Sequence, residues 1–220
     1  MNIAPVMPRL ALLLGLALVP LTAGWAQQAQ VPRPDDAALE NMLPPGHTLE
    51  TRADGDLNGD GRIDVAFVGR REDERALYVA FAYVDEFDLG HEIRAKGPLD
   101  SWPLGPAELS VARGVLTVED LTGGTTAASS TYRLRYDARR KRMRLIGLDM
   151  TSYSRTYAHD GTEYSGNLLT GDTIRRDLKV VAGGGGYDKG PERRAKRVVK
   201  PIYLENLPDS ETAAEMLVNR

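Results

Sequence analysis

The chain has 220 residues, of which 42% are hydrophobic and 27% are charged, with a formal net charge of −3 and no cysteine. This composition is ordinary for a globular protein and excludes a low-complexity or collagen-like chain. The absence of cysteine excludes disulfides, thiol catalysis and cysteine-ligated zinc, so the core and any bound metal must supply the stability.

The first 26 residues have the pattern of a secretory signal. Arg9 supplies a positive charge, residues 10–19 form a short apolar run, and small residues up to Ala26 fit a cleavage site. The run is too short to span a bilayer easily and is followed by Pro20, which favours a cleaved signal over an uncleaved anchor helix. We therefore expect a periplasmic or secreted protein that keeps no membrane anchor after cleavage.

The mature chain is predicted to begin with a flexible segment over residues 27–44, followed by one β-rich domain over residues 45–220. A short helix is predicted over residues 35–42, stopped by two prolines. The apolar period then becomes two, which is typical of antiparallel sheets in a sandwich, a barrel or a small propeller-like arrangement. The predicted strands cover residues 63–68, 76–84, 108–112, 115–119, 131–136, 142–147, 151–157 and 173–181. A closing helix is predicted over residues 208–218.

An acidic loop near the start of the β-rich domain has the residue spacing of a calcium site. Residues 54–64 are Asp-Gly-Asp-Leu-Asn-Gly-Asp-Gly-Arg-Ile-Asp. The candidate oxygen ligands alternate along it: Asp56, Asn58, Asp60, the backbone carbonyl of Arg62, and Asp64, directly or through water. Gly61 falls where such a loop turns sharply, and calcium suits several oxygen ligands better than magnesium does. The alternative is an Asn/Asp/Gly turn that binds no ion.

This loop is not an EF-hand, because position twelve holds Phe67 and not the bidentate Glu, and a strand follows it in place of a helix. The pattern resembles the Asp-x-Asn-x-Asp-Gly-x-x-Asp loops of FG-GAP and VCBS-type β-repeats, in which the loop leads straight into a strand. Without the bidentate Glu, we expect a weak structural site with a Kd of about 0.1–1 mM.

Charge is unevenly divided along the chain. Residues 27–110 hold 17 acidic and 8 basic side chains, whereas residues 111–220 hold 14 acidic and 19 basic ones. A bipolar molecule could steer a charged partner, although a calcium loop at one end and solvated basic strands at the other explain the same asymmetry. The basic segment 189–200 fits an edge strand, and export argues against a nucleic-acid partner.

The order of segments resembles a family of bacterial secreted or periplasmic proteins with FG-GAP-like loops, over roughly residues 45–180. The acidic loop is followed by Tyr-Arg-Leu-Arg-Tyr at 132–136, Arg-Leu-Ile-Gly at 144–147 and Ser-Gly-Asn-Leu-Leu-Thr-Gly at 165–171. The architecture is also similar to periplasmic lysozyme-inhibitor-like immunity proteins. That similarity implies a β-rich calcium-binding protein that inserts a loop into the cleft of a muramidase.

Several lysozyme inhibitors use a Ser-Gly-x-Tyr-type loop. The nearest match in this chain lacks the serine and consists of Gly184, Gly185, Gly186 and Tyr187. The resemblance makes these four residues candidates for partner binding, and a flexible connector is the alternative.

No catalytic signature is present in the sequence. The histidines at positions 47, 91 and 159 lack metal-ligand spacing, and neither a Gly-x-Ser-x-Gly nor a Ser-x-x-Lys motif occurs. We therefore predict an exported, calcium-binding, non-enzymatic protein that presents loops to a protein partner, with a cell-wall hydrolase as the preferred partner. The alternatives are an extracytoplasmic hydrolase acting on cell-wall glycans and a structural module of the envelope.

Overall fold

The structure, a computed structural model, describes residues 30–72 and 74–209 together with Thr212 and Glu215. The predicted signal peptide lies outside the described residues, as does most of the helix predicted over residues 208–218. No helix within the described part of the chain is long and apolar enough to cross a membrane.

The prediction of a mainly β protein with antiparallel sheets is confirmed. The strands are β1 (Thr48–Gly55), β2 (Asp64–Arg71), β3 (Glu74–Val84), β4 (Leu89–Pro98), β5 (Glu108–Ala112), β6 (Val115–Gly123), β7 (Thr126–Asp137), β8 (Arg142–Ser154), β9 (Gly161–Asn167), β10 (Asp172–Val180), β11 (Tyr187–Lys189) and β12 (Arg193–Lys196). They form a four-stranded sheet in the order β1-β2-β3-β4 and an eight-stranded sheet in the order β11-β10-β9-β8-β7-β6-β5, with β12 also paired to β10. Neither sheet closes into a barrel. Of the predicted arrangements, the structure therefore has the sandwich of two packed sheets.

The main core lies between the inner faces of the two sheets. Leu77 and Val79 of β3 pack in the same buried cluster as Leu116 of β6 and Leu134 of β7. The alternation of buried and half-buried residues along β6 to β8 places one face of the eight-stranded sheet in this core. A 3-10 helix at Leu204–Asn206 covers β4 and β8 at the side of the core.

A second, smaller core covers the outer face of the four-stranded sheet. Helix α1 (Asp36–Met42) starts at the N-cap Asp35, whose carboxylate accepts a hydrogen bond from the amide of Ala38 at 2.8 Å. The helix packs Leu39 onto Phe67 and the rest of a buried cluster. Strands β2 and β3 are therefore buried on both faces, which explains the almost continuous apolar run over residues 76–84.

The eight-stranded sheet is wider than its partner. The four-stranded sheet contacts β5 at one side and β8 at the other, so strands β9 to β12 extend beyond it. We call β9 to β12 the wing. Its β12 is fully exposed and pairs with the outer side of β10, as expected for an edge strand in the basic segment.

Candidate calcium loop and adjacent hairpin tip

The acidic loop connects β1 to β2 and is ordered by its own side chains. The carboxylate of Asp56 accepts hydrogen bonds from the amides of Gly59 at 2.7 Å and Gly61 at 2.9 Å. The side-chain oxygen of Asn58 accepts from the amide of Asp60 at 2.9 Å. Gly59 and Gly61 both have φ near +80°, at 82° and 83°, a backbone conformation that favours glycine.

Asp60 and Arg62 form an exposed pair at the tip of this loop. Asp60 accepts hydrogen bonds from the amide of Arg62 at 2.8 Å and from its guanidinium, also at 2.8 Å. The side-chain nitrogen Nδ2 of Asn58 donates to the same carboxylate at 3.2 Å. A bound cation would therefore compete with the Arg62 guanidinium for one oxygen of Asp60.

Asp64 faces the interior and not the loop surface. Its side chain is buried, and one oxygen accepts hydrogen bonds from the amides of Leu57 at 2.8 Å and Asn58 at 3.3 Å. The other oxygen accepts from the amide of Ala82 in β3 at 2.9 Å. Burial raises the pKa of Asp64, and these three hydrogen bonds partly oppose that rise. Asp64 thus ties the acidic loop to the end of β3.

The candidate ligand atoms of the acidic loop are all oxygens, which are the ligands that a hard cation such as calcium prefers. A carboxylate or amide oxygen that accepts one hydrogen bond retains a lone pair, so Asp56, Asn58 and Asp60 can still contribute, with the carbonyl of Arg62. No group of three or more His, Cys, Asp or Glu side chains in the described part of the chain is arranged to hold a metal ion. Metal binding here would thus use two carboxylates, one amide oxygen and one carbonyl, and it stays a prediction, as does any role of Asp64 as a ligand.

Next to the acidic loop, residues 84–89 form the turn between β3 and β4, which we call the acidic tip. Asp85 accepts hydrogen bonds at one carboxylate oxygen from the amides of Phe87 at 2.9 Å and Asp88 at 2.8 Å. Tyr83 donates from its hydroxyl to the carboxylate of Asp88 at 2.7 Å. Within this ordered turn the side chain of Phe87 is 90% exposed. The tip therefore displays one bare aromatic ring among three carboxylates, those of Asp85, Glu86 and Asp88.

The acidic loop and the acidic tip are held together at their bases. The Asp64 carboxylate joins the amides of Leu57 and Ala82, as described above. Two residues after the tip, in β4, the Nε2 of His91 is 2.8 Å from the carbonyl oxygen of Ile63. Hydrogen bonds therefore tie the acidic loop to both strands that carry the tip.

The glycine-rich candidate loop lies at the opposite end of the strands. Gly183, Gly184 and Gly185 have positive φ in the exposed turn between β10 and β11. Tyr187 does not protrude from it: its hydroxyl donates to the carbonyls of Ser154 at 3.1 Å and His159 at 3.0 Å. The Tyr187 hydroxyl also accepts from the Ser154 amide at 2.8 Å, so this residue anchors the turn. Partner binding by the four candidate residues stays a prediction.

The three histidines serve separate local contacts. His47 lies 3.3 Å from Glu74, and His91 contacts the carbonyl of Ile63. His159 contacts the hydroxyl of Thr126 at 2.8 Å. They lie in different parts of the fold and do not form one site.

Sequence reasoning found the acidic loop but missed the acidic tip. The signal that could have found it is an isolated phenylalanine in the acidic turn Asp-Glu-Phe-Asp at 85–88, directly after an apolar strand. That signal requires β4 to be recognised, because only a hairpin places such a turn at the end of a sheet. No protein family, curated protein or solved structure matches the chain.

Proposed function

We propose that this protein is an exported, calcium-binding, non-enzymatic protein of the periplasm that presents the acidic tip to a cell-wall hydrolase of the muramidase type. The observation that carries the proposal is Phe87, an aromatic side chain 90% exposed on a turn that Asp85 orders. Aromatic residues are preferred anchors in protein interfaces. An anchor on a preordered turn loses little conformational entropy on binding.

The charge of the acidic tip selects the chemistry of its partner. Asp85, Glu86 and Asp88 surround Phe87, and none of these three carboxylates is among the proposed calcium ligands. A basic partner would gain association rate and specificity from these charges. A two-stranded hairpin is also narrow enough to enter a concave substrate cleft, which is the shape of a glycan-binding site.

Calcium has a structural role in this proposal. When bound, it would supply positive charge that draws the oxygens of Asp56, Asn58 and Asp60 together with the Arg62 carbonyl. Asp64 already links this loop to β3, so an ordered loop supports the base of the tip. By mass action the ion would stabilise the folded state by about 1–2 kcal/mol at saturation.

One observation favours the alternative of a glycan hydrolase. A pocket at the other end of the sandwich is lined by Asp100, Asp120 and Asp209. However, Arg75 donates to both oxygens of Asp120 at 3.0 and 2.7 Å, and Asp209 accepts from the amide of Thr212 at 2.7 Å. Because general acid–base catalysis needs carboxyl groups that can exchange protons with substrate, we prefer the inhibitor.

The test is an inhibition assay with muramidases of several structural types acting on a cell-wall suspension. We expect the wild-type protein in millimolar calcium to slow lysis by at least one basic muramidase, and Phe87→Ser to lose most of that inhibition. Val198→Ser is the matched control, since Val198 is also fully exposed but follows β12 at the edge of the wing. It should inhibit like the wild type.

Two results would contradict the proposal. If an excess of the wild-type protein protects cell walls from none of the muramidases, the hydrolase partner is wrong. If inhibition occurs but Phe87→Ser matches Val198→Ser, another surface binds the enzyme. Release of reducing sugar from peptidoglycan by the protein alone would instead support the hydrolase alternative.

A further inference from the structure

The outer face of the eight-stranded sheet carries a group of basic side chains where β7 ends and β8 begins. Six of the ten residues at 135–144 are basic, and one is acidic. Leu134 and Leu145 pack in the main core, so the alternation along the two strands places Arg135 and Arg144 on the opposite, outer face. These two arginines are directly opposite each other in the ladder between β7 and β8.

The turn between the two strands adds three cations in a fixed arrangement. The carboxylate of Asp137 accepts hydrogen bonds from the amides of Arg139 at 3.1 Å and Arg140 at 3.2 Å. It also accepts from the hydroxyl of Tyr203 at 3.2 Å, so the one carboxylate of the turn holds the turn in place. The side chains of Arg139, Arg140 and Lys141 are exposed. We call Arg135, Arg139, Arg140, Lys141 and Arg144 the basic corner.

Most of this positive charge is not balanced by an ion pair. Of the six basic residues at 135–144, Arg142 alone forms an ion pair within the described part of the chain, with Glu205 at 2.9 Å. The carboxylate of Asp137 offsets part of the charge of Arg144. Like charges directly opposite each other in a ladder destabilise a sheet, so Arg135 and Arg144 impose a cost that an external anion would reduce.

The acidic tip lies at the same end of the sandwich, but it belongs to the other sheet. The ring of Phe81 in β3 contacts the ring of Tyr136 in β7, with centroids 5.0 Å apart, so the core lies between the two hairpins. Packed sheets are roughly 10 Å apart, and their outer faces point in opposite directions. Salt screens charges over about 8 Å at physiological ionic strength, so an anionic surface that touches the basic corner is largely shielded from the acidic tip.

Two exposed aliphatic side chains accompany the basic corner. Leu169 is half exposed in the turn between β9 and β10, and Val198 is fully exposed. The residue before Val198 donates its amide to the carbonyl of Gly171 in that turn at 2.7 Å. The same segment then reaches β8, where the amide of Leu145 donates to the carbonyl of Ile202 at 2.9 Å. Leu169 and Val198 therefore lie at the same end of the eight-stranded sheet as the basic corner.

We propose that the basic corner binds the anionic surface of a phospholipid membrane, with Val198 and Leu169 entering the headgroup region. Guanidinium groups match the geometry of phosphates and can donate two parallel hydrogen bonds to one of them. Each basic residue near such a surface contributes about fivefold in affinity. Buried aliphatic side chains add a contribution that salt does not screen. A soluble polyanion would leave these side chains in water, so the membrane is the better match.

The experiment is a sedimentation assay of the full chain with vesicles of phosphatidylcholine alone and of an equal mixture of phosphatidylcholine and phosphatidylglycerol. Residues 1–29 are the same in every variant, so any contribution from them cancels in the comparison. We expect binding that depends on phosphatidylglycerol, and about 1 M salt should remove most of it. The corner variant, Arg139→Ser with Arg140→Ser and Lys141→Asn, should weaken it by about 100-fold. Asparagine is used because it tolerates the φ of 54° at Lys141.

A second variant separates the aliphatic contribution from the charge. Leu169→Ser with Val198→Ser should weaken binding several-fold and leave its salt dependence unchanged. The matched control removes three exposed cations of the wing that already have acidic partners. It combines Lys179→Ser, Lys189→Ser and Arg193→Ser, whose partners are Asp160, Glu163 and Asp177. This wing variant changes the net charge as much as the corner variant does, but it should bind nearly like the wild type.

Phe87→Ser should also bind the vesicles like the wild type, which separates the basic corner from the proposed partner surface. Equal binding to the two kinds of vesicle would overturn the proposal, as would equal losses in the corner variant and the wing variant. Binding of a soluble DNA oligomer without binding of the anionic vesicles would overturn it too. Release by inorganic phosphate beyond that by sodium chloride at equal ionic strength would show a discrete phosphate site in place of a lipid surface.

Discussion

Arg75 and Asp120 join the two sheets through a buried ion pair, with the guanidinium 2.7 and 3.0 Å from the two carboxylate oxygens. Arg75 also donates to Glu50 of β1 at 2.6 and 2.9 Å. Its side chain is only 1% exposed. One guanidinium therefore connects β3 with its own sheet at β1 and with the opposite sheet at β6.

Replacing this arginine should be among the most destabilising single changes in the protein. Arg75→Met leaves two buried carboxylates without a cation, and we expect the free energy of unfolding to fall by about 3–5 kcal/mol. The measurement is urea unfolding followed by circular dichroism. Arg133→Met is the control, because Arg133 pairs with Asp149 at 2.7 Å in a position that is 41% exposed. That variant should lose no more than about 1 kcal/mol, and equal losses would refute the special role of the buried pair.

The same cluster predicts how stability depends on pH. Burial alone would raise the pKa of Glu50, but hydrogen bonds from Arg75 and from the amide of Ala107 outweigh it and lower the pKa. A lowered pKa in the folded state means that the stability is present above the ordinary range of a glutamate and is lost as the pH falls through the folded pKa. Asp120 contributes in the opposite direction. Burial raises its pKa in the folded state, so its contribution to stability decreases as the pH rises.

We therefore expect Glu50 to contribute a loss of stability on acidification from about pH 6 to about pH 3. Urea midpoints across this range should fall less steeply in Glu50→Gln than in the wild type, although the variant is less stable at neutral pH. Parallel pH profiles for the two proteins would show that other groups carry the acid sensitivity.

Asp64 should stabilise the folded state even when no metal is bound. In Asp64→Asn, the side-chain nitrogen must face either the amide of Ala82 or those of Leu57 and Asn58, so at least one N–H loses its acceptor. We expect a loss of about 1–3 kcal/mol in EDTA. Asp60→Asn is the control, since Asp60 is exposed, and it should unfold like the wild type in EDTA.

Calcium should raise the melting temperature by a few degrees. A stabilisation of about 1–2 kcal/mol corresponds to roughly 2–8 °C for a domain of this size. Asp60→Ala should abolish this rise while it keeps the melting temperature that the wild type has in EDTA. Identical melting curves in EDTA and in millimolar calcium would instead show that the loop is a turn with no ion.

Much of the fold class was predictable from local pattern. Strands β2 and β3 are apolar runs because both of their faces are buried, and β5 matches its predicted bounds of 108–112. Strands β1 and β4 were missed, since their residues are mostly half-buried or exposed and carry charges that resemble a loop. Only their pairing with β2 and β3 makes them strands.

The strand predicted over residues 151–157 is wrong at its end. Strand β8 continues to Ser154, and Tyr157 then turns with a φ of 57°. The following strand, β9, was missed in turn. Thr, Ser and Tyr favour strands wherever they occur, so propensity alone cannot locate the residue at which this segment leaves the sheet.

The site was predictable only where it is local in sequence. Spacing along residues 56–64 identifies the acidic loop, because its hydrogen bonds join neighbours two to seven positions apart. The contact of Asp64 with Ala82 spans 18 positions, and that of Arg75 with Asp120 spans 45. Such contacts depend on how the sheets pack, which no local pattern encodes.

The unequal width of the two sheets implies that the molecule should not open as one unit. Strands β10, β11 and β12 lie outside the main core, and ion pairs such as Arg193 with Asp177 and Lys189 with Glu163 brace the wing. We expect the amides of β11 and β12 to exchange with deuterium well before those of β3 and β7, and exchange in the wing to accelerate in about 1 M salt as these pairs are screened. The sheet that carries the acidic tip should then remain protected while the wing opens locally. Proteolysis should therefore cleave the wing first and leave the rest of the protein folded.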